Sequence, residues 1–440
     1  MGQHLTETFD NIIDSLCGDV QHTPLAVAVS GGADSLALVF LLKRWADKTG
    51  KTILALTVDH ALRPESNQEA LIVAKLLKSH HIDHHILAWE HPPVRHNIQA
   101  QARDARYQLM CSWCADHNIP ILMTAHHRDD QAETVLSRLF RGSGVTGMAG
   151  IPVESTRYGI RIIRPLLGIP KQQLSHYLSE NQISWIEDPS NENLHYDRVK
   201  IRKLLTHLEP DLQVSTGLIK SRLADHARHM GRVKDYLEQQ TVMALKPAEF
   251  NHEFGFASIS NSHWLSLHLE IQYRVISSLL NQVSHQEIAP RFDSLERLCH
   301  SFANASALQA TLHGCIVYRH KDTLYIIREP AAIASVSIDI PTPIQWDNRF
   351  HLDLASISST DLAESNMAIH PLWLYRKAIP LTAMESLTSL RITPSNRLNQ
   401  LIFSGLPVLT ALEKIVAIPH IGYYDSFLNK ENTVFQVASL

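Results

Sequence analysis

With 440 residues, the chain is too long for one compact core, which predicts two or three domains. Hydrophobic residues make up 45% of it, so wholesale disorder is excluded. A net charge of −4 excludes the strongly basic class of nucleic-acid-binding proteins, although local basic patches stay open.

Targeting signals and the number of cysteines indicate the cellular compartment. No apolar run approaches the roughly 18 residues of a membrane span, and the N-terminal segment lacks the basic and apolar regions of a secretory signal. The five cysteines are odd in number and scattered along the chain. We therefore predict a cytoplasmic protein with reduced thiols and no membrane association.

Residues 25 to about 170 alternate short apolar runs with longer amphipathic segments. The predicted strands are Leu25–Val29, Ile53–Val58, His84–Ala88, Ile119–Thr124 and Arg161–Arg164. The predicted helices lie near 35–48, 66–80, 97–117 and 129–140. This alternation predicts an α/β fold with a parallel, Rossmann-like sheet, in which ligands bind beyond the carboxyl ends of the strands.

The rest of the chain is less regular. We predict a catalytic α/β domain over residues 1–210, a mostly helical middle domain over 215–330, and a small mixed α/β C-terminal domain over 345–440. Short strands are predicted at Cys315–Tyr318 and Thr323–Arg328. The charge-poor stretch 331–345 is interpreted as a linker or as the first strand of the last domain.

The segment PLAVAVSGGADSLAL (24–38) places an apolar strand before the loop Ser30–Ser35 and a helix after it. Two glycines allow a phosphate to approach the backbone closely, and the amides of the loop and of the first helical turn face it. Ser30 and Ser35 add hydroxyl donors. Bare phosphate would repel the Asp34 carboxylate, so we assign Asp34 to Mg²⁺ shared with a nucleotide. The alternative is a plain strand–turn–helix in which Asp and Ser cap the helix.

Two other phosphate motifs are rejected. Gly50-Lys51-Thr52 resembles the end of a Walker A loop, but Trp45 stands at the earlier glycine position and a strand follows the motif. Residues 142–147 fit GxGxxG, but they follow a predicted helix where a dinucleotide fingerprint follows a strand.

The SGGADS loop resembles the PP-loop ATP pyrophosphatases. That resemblance implies cleavage of ATP between the α and β phosphates and transfer of AMP to a carbonyl or carboxyl oxygen. It does not choose among the members of the superfamily, which include amide-forming synthetases, tRNA thiolases and tRNA(Ile)-lysidine synthetases.

Further motifs end the predicted strands or share one helix face. VDHALR (58–63) ends the second strand, so Asp59 and His60 face the ligand crevice. TAHHRDDQAET (124–134) leaves the fourth strand and opens a helix, which puts His126 and His127 at the strand end. Asp130 and Glu133 at i, i+3, or Asp129 and Glu133 at i, i+4, place paired carboxylates on one helix face, where they could hold Mg²⁺ or an amine. The plainer alternative is that acids in a first helical turn favour its dipole.

Taken in order, SGGADS, VDHALR, ARDARY (102–107), TAHHRDDQAET, LFRGSGVTGMAGI (139–151), RPLL (164–167) and EDPSN (187–191) resemble the tRNA(Ile)-lysidine synthetase family. The resemblance spans roughly 25–205, and RVKIR (198–202) fits it. The stretch 310–329 resembles more loosely the middle domain, which helps to hold tRNA in the family. In the last domain, Asn396, Asn399 and Gln400 stand where basic residues are expected, so the tRNA contacts of this divergent domain stay open.

The resemblance implies that ATP adenylylates O2 of the first anticodon cytidine in tRNA(Ile) with a CAU anticodon. The ε-amine of free L-lysine then attacks C2, which expels AMP and leaves lysidine. The sequence does not set the oligomeric state, and a homodimer is one option.

The resulting site prediction covers four groups of residues. The catalytic group is Asp34, Arg106, Asp130 and Glu133. The ATP-binding group is Ser30, Gly31, Gly32, Ala33, Asp34, Ser35, Asp59, His60 and His126. The basic patch Arg198, Lys200, Arg202 and Lys203 is assigned to tRNA, with a solvated helix face as the alternative. The metal ligand is Asp34, and the cofactors are ATP and Mg²⁺.

Two other functions stay open. Cys111 and Cys114 form a CxxC pair, as in thiolases of this superfamily that bind an iron–sulfur cluster. One pair inside a predicted helix favours small buried residues instead, since a cluster wants three or four cysteines. A catalytically inactive tRNA-binding homologue is the third alternative.

Overall fold

The computed structural model describes residues 2–18, 23–61, 66–91, 98–187, 197–286, 288–304, 307–339, 344–353, 366–380, 396–425 and 434–437. The chain forms two units, Met1–Tyr236 and Leu237–Leu440, with the boundary inside a long helix. The division of the chain into three domains at 210–215 and 330–345 stays a prediction.

The N-terminal unit is built on a six-stranded sheet with strand order β3-β2-β1-β4-β6-β5. All neighbours are parallel except β5, which runs antiparallel to β6. The strands are β1 Leu25–Ala28, β2 Ile53–Asp59, β3 Asp83–Ala88, β4 Ile121–Met123, β5 Glu154–Arg157 and β6 Ile160–Ile163. The helices are α1 Gly2–Cys17, α2 Ala33–Thr49, α3 Ser66–Ser79, α4 Ile98–Asp116, α5 Arg128–Phe140, α6 Val145–Met148, α7 Lys171–Glu180, α8 Asp197–Asp211 and α9 Leu218–Leu245. The predicted α/β class is therefore confirmed.

The register of the central strands decides where the site lies. β1 pairs with β2 from Leu25↔Ile53 onward and with β4 through Val27↔Met123. Because these three strands are adjacent and parallel, the segments that follow them leave the same edge of the sheet. Apolar side chains of β1 and α2 are buried in one core, which fixes the strand and the helix that flank the loop Ser30–Ser35.

The described residues of the C-terminal unit form helices and three antiparallel sheets, with strand orders β7-β8-β11-β10-β9, β12-β15-β16-β17-β18 and β13-β14-β19. Its helices are α10 Asn261–Ser266, α11 Leu269–Ser284, α12 Phe292–Ala303 and α13 Arg397–Ser404. Its strands are β7 Glu249–Asn251, β8 Phe256–Ser260, β9 Gln309–Leu312, β10 Cys315–His320, β11 Thr323–Arg328, β12 Val336–Ser337, β13 Ile344–Trp346, β14 Phe350–Asp353, β15 Ala368–Pro371, β16 Pro407–Ala411, β17 Lys414–Ile418, β18 Tyr423–Tyr424 and β19 Val434–Val437.

A buried ionic cluster joins segments of this second unit. The Asp347 carboxylate accepts from Arg349 Nε at 2.7 Å and from Arg328 Nη2 at 3.0 Å. All three side chains are less than 10% exposed. Arg349 also donates to the carbonyl of Gly405 at 2.8 Å, so the guanidinium ties the turn before β14 to the end of α13.

In the divergent last region, Asn396 caps α13 by accepting from the amide of Leu398. The part of that region between 381 and 395 lies outside the described residues. Among the described helices, none is long and apolar enough to cross a membrane.

Candidate active site

The loop after β1 has the internal bonding of a preformed anion cradle. Ser35 Oγ donates to the carbonyl of Gly32 at 2.9 Å and accepts from the amide of Ser30 at 3.1 Å. Gly31 has φ +84°, in the left-handed region, and a Cβ there would lie 2.8 Å from Val73 Cγ2. The position therefore requires glycine. The amides that open α2 follow directly, with Gly32 as the N-cap and no side chain capping it.

Asp34, in the first turn of α2, meets groups from two other elements. Its Oδ2 lies 3.3 Å from His127 Nε2 and 3.8 Å from Lys171 Nζ. Its Oδ1 is buried and has no hydrogen-bond partner among the described residues. A buried carboxylate oxygen without a donor is a site for a cation.

His127 links this carboxylate to the start of α5. Its side chain accepts from the amide of Asp130 at 3.3 Å, and the Asp130 carboxylate accepts from the amide of His127 at 3.0 Å. The pair forms a capping box. Burial acts to lower the pKa of His127, but the hydrogen bond to Asp34 and the nearby carboxylates outweigh it and raise that pKa. The sequence placed His127 at the strand end, but the predicted site did not include it.

Two substitutions separate the capping role of His127 from its contact with Asp34. We expect His127→Ala to lose about 1 kcal/mol of stability, the usual effect of deleting an N-cap. His127→Asn keeps a good cap and should retain stability, yet it loses the Nε2 contact with Asp34. ATP-dependent pyrophosphate release should fall about 10-fold in both variants, the effect of one lost hydrogen bond to a charged group. Urea unfolding and a pyrophosphate assay measure the two effects; full activity of His127→Asn would contradict a role in positioning Asp34.

The structure brings the predicted acidic pair together with both arginines of the predicted tRNA-binding patch. Glu133 is 3% exposed and accepts from Arg198 Nε and Arg202 Nε, each at 2.7 Å. Arg198 Nη2 also donates to Asp130. Burial would raise the pKa of Asp130, but His127 and Arg198 outweigh it and hold that pKa below its usual value. The hydrogen bond to Glu133 is the main cause that raises the pKa of Arg202.

The basic patch on α8 is therefore split by the helical period. Arg198 and Arg202, four residues apart, face α5. Lys200 and Lys203 are exposed, and Lys200 has an ion pair with Asp197 at 3.4 Å.

The residues that follow β2 have internal partners. Asp59 accepts from the amide of Ala61, from Ser66 Oγ and from Asn67 Nδ2, and the Ser66 bond is the main cause that lowers the pKa of Asp59. Arg106 Nη2 lies 2.8 Å from His60 Nε2. Since a guanidinium only donates, Nε2 is the acceptor, and a neutral His60 carries its proton on Nδ1. Burial lowers the pKa of His60 to about 4, so that state holds at neutral pH. The end of VDHALR, Leu62 and Arg63, and residues 188–191 of EDPSN lie outside the described residues.

His126, which follows β4, is held neutral. Its Nδ1 lies 3.0 Å from Thr124 Oγ1, and burial lowers its pKa to about 3.

This shift predicts a pH dependence of stability. Because the pKa of His126 is lower in the folded chain than the ordinary 6.5, the unfolded chain binds more protons between pH 6.5 and about 3. The contribution of His126 to stability is therefore fully present above pH 6.5 and is lost as the pH falls towards the folded-state pKa. Between pH 7 and pH 5, we expect the free energy of unfolding to fall by about 2 kcal/mol less in His126→Gln than in the parent chain. Urea unfolding at both pH values measures the difference, with the exposed His226→Gln as control; parallel losses in all three proteins would contradict the assignment.

The residues around Asp34 fit Mg²⁺ held jointly with a nucleotide. Asp34 Oδ1 is an unpartnered acceptor, and Mg²⁺ commonly takes one or two carboxylates together with substrate phosphates. No group of three or more His, Cys, Asp or Glu side chains that could hold a metal occurs in the described part of the chain.

Cys111 and Cys114 are fully buried in α4 within an apolar cluster. Burial raises the pKa of Cys111 to about 11 and that of Cys114 to about 12, which opposes formation of a thiolate. The interpretation of this pair as buried core residues is confirmed.

Comparison with known proteins gives relatives that extend across both units. The PP-loop domain family matches residues 3–209. A tRNA(Ile)-lysidine synthase of Wolbachia pipientis is 34% identical over 420 residues, which cover 94% of this chain and 92% of the relative. That of Orientia tsutsugamushi is 33% identical and covers 97% of each chain.

Among solved structures, a U34-tRNA thiolase of Methanococcus maripaludis has a TM-score of 0.44 at 17% identity. It covers 52% of this chain and 78% of the thiolase.

Proposed function

The chain belongs to the tRNA(Ile)-lysidine synthase family, and on that premise we propose that it ligates free L-lysine to the first anticodon cytidine of tRNA(Ile) with a CAU anticodon. The observation that carries the proposal is the similarity to these synthases over more than nine-tenths of both chains. The product, lysidine, would pair with A instead of G and change the codon read from AUG to AUA.

In the first step, O2 of the cytidine attacks the α-phosphorus of ATP and pyrophosphate leaves. The amides of Gly31, Gly32 and Ala33, with the hydroxyls of Ser30 and Ser35, would bind the departing phosphates. Preorganised donors of this kind stabilise developing charge most where water is excluded. Asp34 would hold Mg²⁺, which neutralises phosphate charge when it is bound.

The adenine and ribose of ATP would lie at the ends of β2 and β4. Asp59 fixes the turn after β2, while His60 and His126 remain neutral and present ring nitrogens there. Arg106 sets the tautomer of His60 and stays close to the same strand end, where it would contact the reacting phosphate or the cytidine.

In the second step, the ε-amine of lysine attacks C2, the C2–O bond breaks, AMP leaves, and the amine loses a proton. Asp130 and Glu133 would receive the amine, and one of these two carboxylates would accept the proton that the amine loses. A carboxylate has about four acceptor positions. Glu133 Oε1 accepts from Arg202 Nε and Asp130 Oδ1 accepts from Arg198 Nη2, so both oxygens keep acceptor capacity. Arg198 and Arg202 would hold these acids in place, while the outward Lys200 and Lys203 would contact tRNA phosphates.

The test is lysine incorporation. Purified protein receives ATP, Mg²⁺, labelled lysine and a tRNA(Ile) transcript with a CAU anticodon. We expect label in the tRNA, release of AMP and pyrophosphate, and no label when the anticodon cytidine is replaced. Sulfur transfer to the tRNA would favour a thiolase, and tRNA binding without pyrophosphate release would favour an inactive homologue.

A further inference from the structure

Two aromatic rings lie at the carboxyl ends of β2 and β3. Trp89 follows β3 directly, and His60 follows β2. The amide of Trp89 donates to the carbonyl of Asp59 at 2.9 Å, which extends the pairing of the two strands by one residue. The indole meets the His60 imidazole edge to face, with ring centroids 6.3 Å apart. The indole therefore belongs to the edge of the sheet that carries the loop Ser30–Ser35.

The indole of Trp89 is held from one side. The His91 ring lies against it, with centroids 3.8 Å apart and planes tilted by 34°. His91 Nε2 lies 3.1 Å from the carbonyl of His60, so the backing ring is itself tied to the end of β2. Trp89 is half-buried, and in the described part of the chain only His60 and His91 make ring contacts with it. One face of a fixed aromatic ring thus stays available to a second planar group.

The same cluster contains a hydrogen-bond donor and a cation that lack acceptors of their own. His60 Nε2 accepts from Arg106 Nη2 at 2.8 Å. His60 Nδ1, which carries the ring proton, is buried and has no acceptor among the described residues. Those residues also offer the Arg106 guanidinium no carboxylate at ion-pair distance. A buried donor without an acceptor favours a ligand that supplies one, and an unpaired guanidinium favours a phosphate. Ring, donor and cation together fit a nucleotide.

The position of the ring decides which nucleotide fits. In the strand order β3-β2-β1, β3 lies two strand spacings, about 10 Å, from the strand whose loop would bind the phosphates of ATP. The adenosine of ATP would lie at the ends of β2 and β4. Trp89 instead ends the edge strand and is partly exposed, so a macromolecule can reach its open face from outside. The outer ring therefore suits the RNA base better than it suits adenine.

We propose that Trp89 is the stacking residue for the anticodon cytidine, an inference that rests on the proposed function. RNA loops are recognised through bases that are turned out of the stack and laid on aromatic side chains. On the open face of the indole, the cytosine would direct its O2 at the α-phosphorus of ATP. Arg106 would bind a phosphate of the same RNA segment, and His60 Nδ1 would donate to an acceptor of the nucleotide.

Binding of an anticodon-arm RNA to the full chain tests the assignment. One arm carries the CAU anticodon, and a second arm lacks the base of the first anticodon nucleotide. The parent chain should bind the complete arm about 10- to 100-fold more tightly than the abasic arm, the effect of stacking one base on one aromatic side chain. Trp89→Leu should lose most of this preference, whereas Trp89→Phe keeps a ring and should retain most of it.

Trp113→Leu is the matched control. Trp113 is also half-buried and also stacks on a histidine, His117, with centroids 3.9 Å apart. It lies near the end of α4, and its loss should leave the preference for the complete arm unchanged.

Fluorescence and kinetics give two further readouts. The complete arm should quench the indole emission of the parent chain, and the quench should shrink in Trp89→Phe, because stacking on this one of the seven tryptophans is its source. Trp89→Leu should raise KM for tRNA and leave KM for ATP unchanged, since the contact is with the RNA base.

Three results would overturn the proposal: a full preference for the complete arm in Trp89→Leu, an equal loss of preference in Trp113→Leu, or a raised KM for ATP with unchanged binding of the arm, which would assign the indole to adenine. Thermal melts of the variants check that they are folded. Lysine incorporation by the parent chain is assayed in parallel. If incorporation succeeds while Trp89→Leu keeps the preference, only the stacking assignment fails. If the parent chain shows the preference but incorporates no lysine, only the proposed ligation fails.

Discussion

Glu133→Gln is expected to lower lysine incorporation at least about 100-fold, the lower range of a lost acid–base group. Glu133 is almost fully buried and joins two arginines, so the amide removes the charge that both guanidiniums share. Stability should fall by about 2 kcal/mol, the range for a hydrogen bond to a charged group, which leaves the chain folded. Pyrophosphate release without lysine should persist, because Glu133 is assigned to the amine and not to ATP.

A double-mutant cycle distinguishes catalysis from support of α8. If Glu133 served only to neutralise Arg202, the variant carrying both Glu133→Gln and Arg202→Gln would recover activity relative to Glu133→Gln alone. We expect no recovery. Glu154→Gln, an exposed acid of β5 paired with Arg161, is the matched control and should incorporate lysine normally. Recovery in the double variant would reduce Glu133 to a structural ion pair.

The sheet and its helices could be predicted from periodicity. All five predicted strands and four predicted helices of the N-terminal region are confirmed, with ends that differ by at most two residues. Buried parallel strands are continuous apolar runs, and the amphipathic segments between them carry a helical period. Strand β5 was not predicted because Glu154–Arg157 is polar and has no apolar pattern. Its strand structure depends on its pairing with β6.

The loop Ser30–Ser35 was located by local chemistry, but its partners were not. The contact of Asp34 with His127 joins residues 93 positions apart, and no spacing rule connects them. The pairing of Glu133 with Arg202 likewise depends on how α8 packs against α5. The sequence shows α8 only as a basic patch and does not indicate this packing. The sequence therefore assigns Arg198 and Arg202 to tRNA together with Lys200 and Lys203. Their i, i+4 spacing, which places the two arginines on one helix face, was the signal for a separate role.

In the second unit, short strands limited prediction. β12 and β18 have two residues each, too few for an alternating pattern. The ion pair of Asp347 with Arg328 joins two separate segments, which no local pattern predicts. Strands of this kind are specified by their neighbours more than by their own composition.

The acids of the site fall into two classes that differ in whether a cationic side chain compensates their charge. Asp130 and Glu133 are compensated by arginines, while Asp34 keeps one buried oxygen without a donor. Asp34→Asn preserves shape and the contact with His127 but removes the charge a cation needs. Pyrophosphate release should fall about 1,000-fold, at the upper end for loss of one preorganised electrostatic group.

The two half-reactions make this prediction specific. Asp34→Asn should lower pyrophosphate release with or without lysine, whereas Glu133→Gln should lower only lysine transfer. Asp129→Asn is the matched control, because Asp129 is tied to Lys220 and to the amide of Lys171 and has no assigned part in ATP cleavage. Raising Mg²⁺ should not restore Asp34→Asn, since an amide oxygen is a weaker ligand than a carboxylate for a hard cation. Pyrophosphate release by Asp34→Asn within about 10-fold of the parent chain would place the cation elsewhere, because a lost ligand to a phosphate-bound metal costs more than one ordinary hydrogen bond.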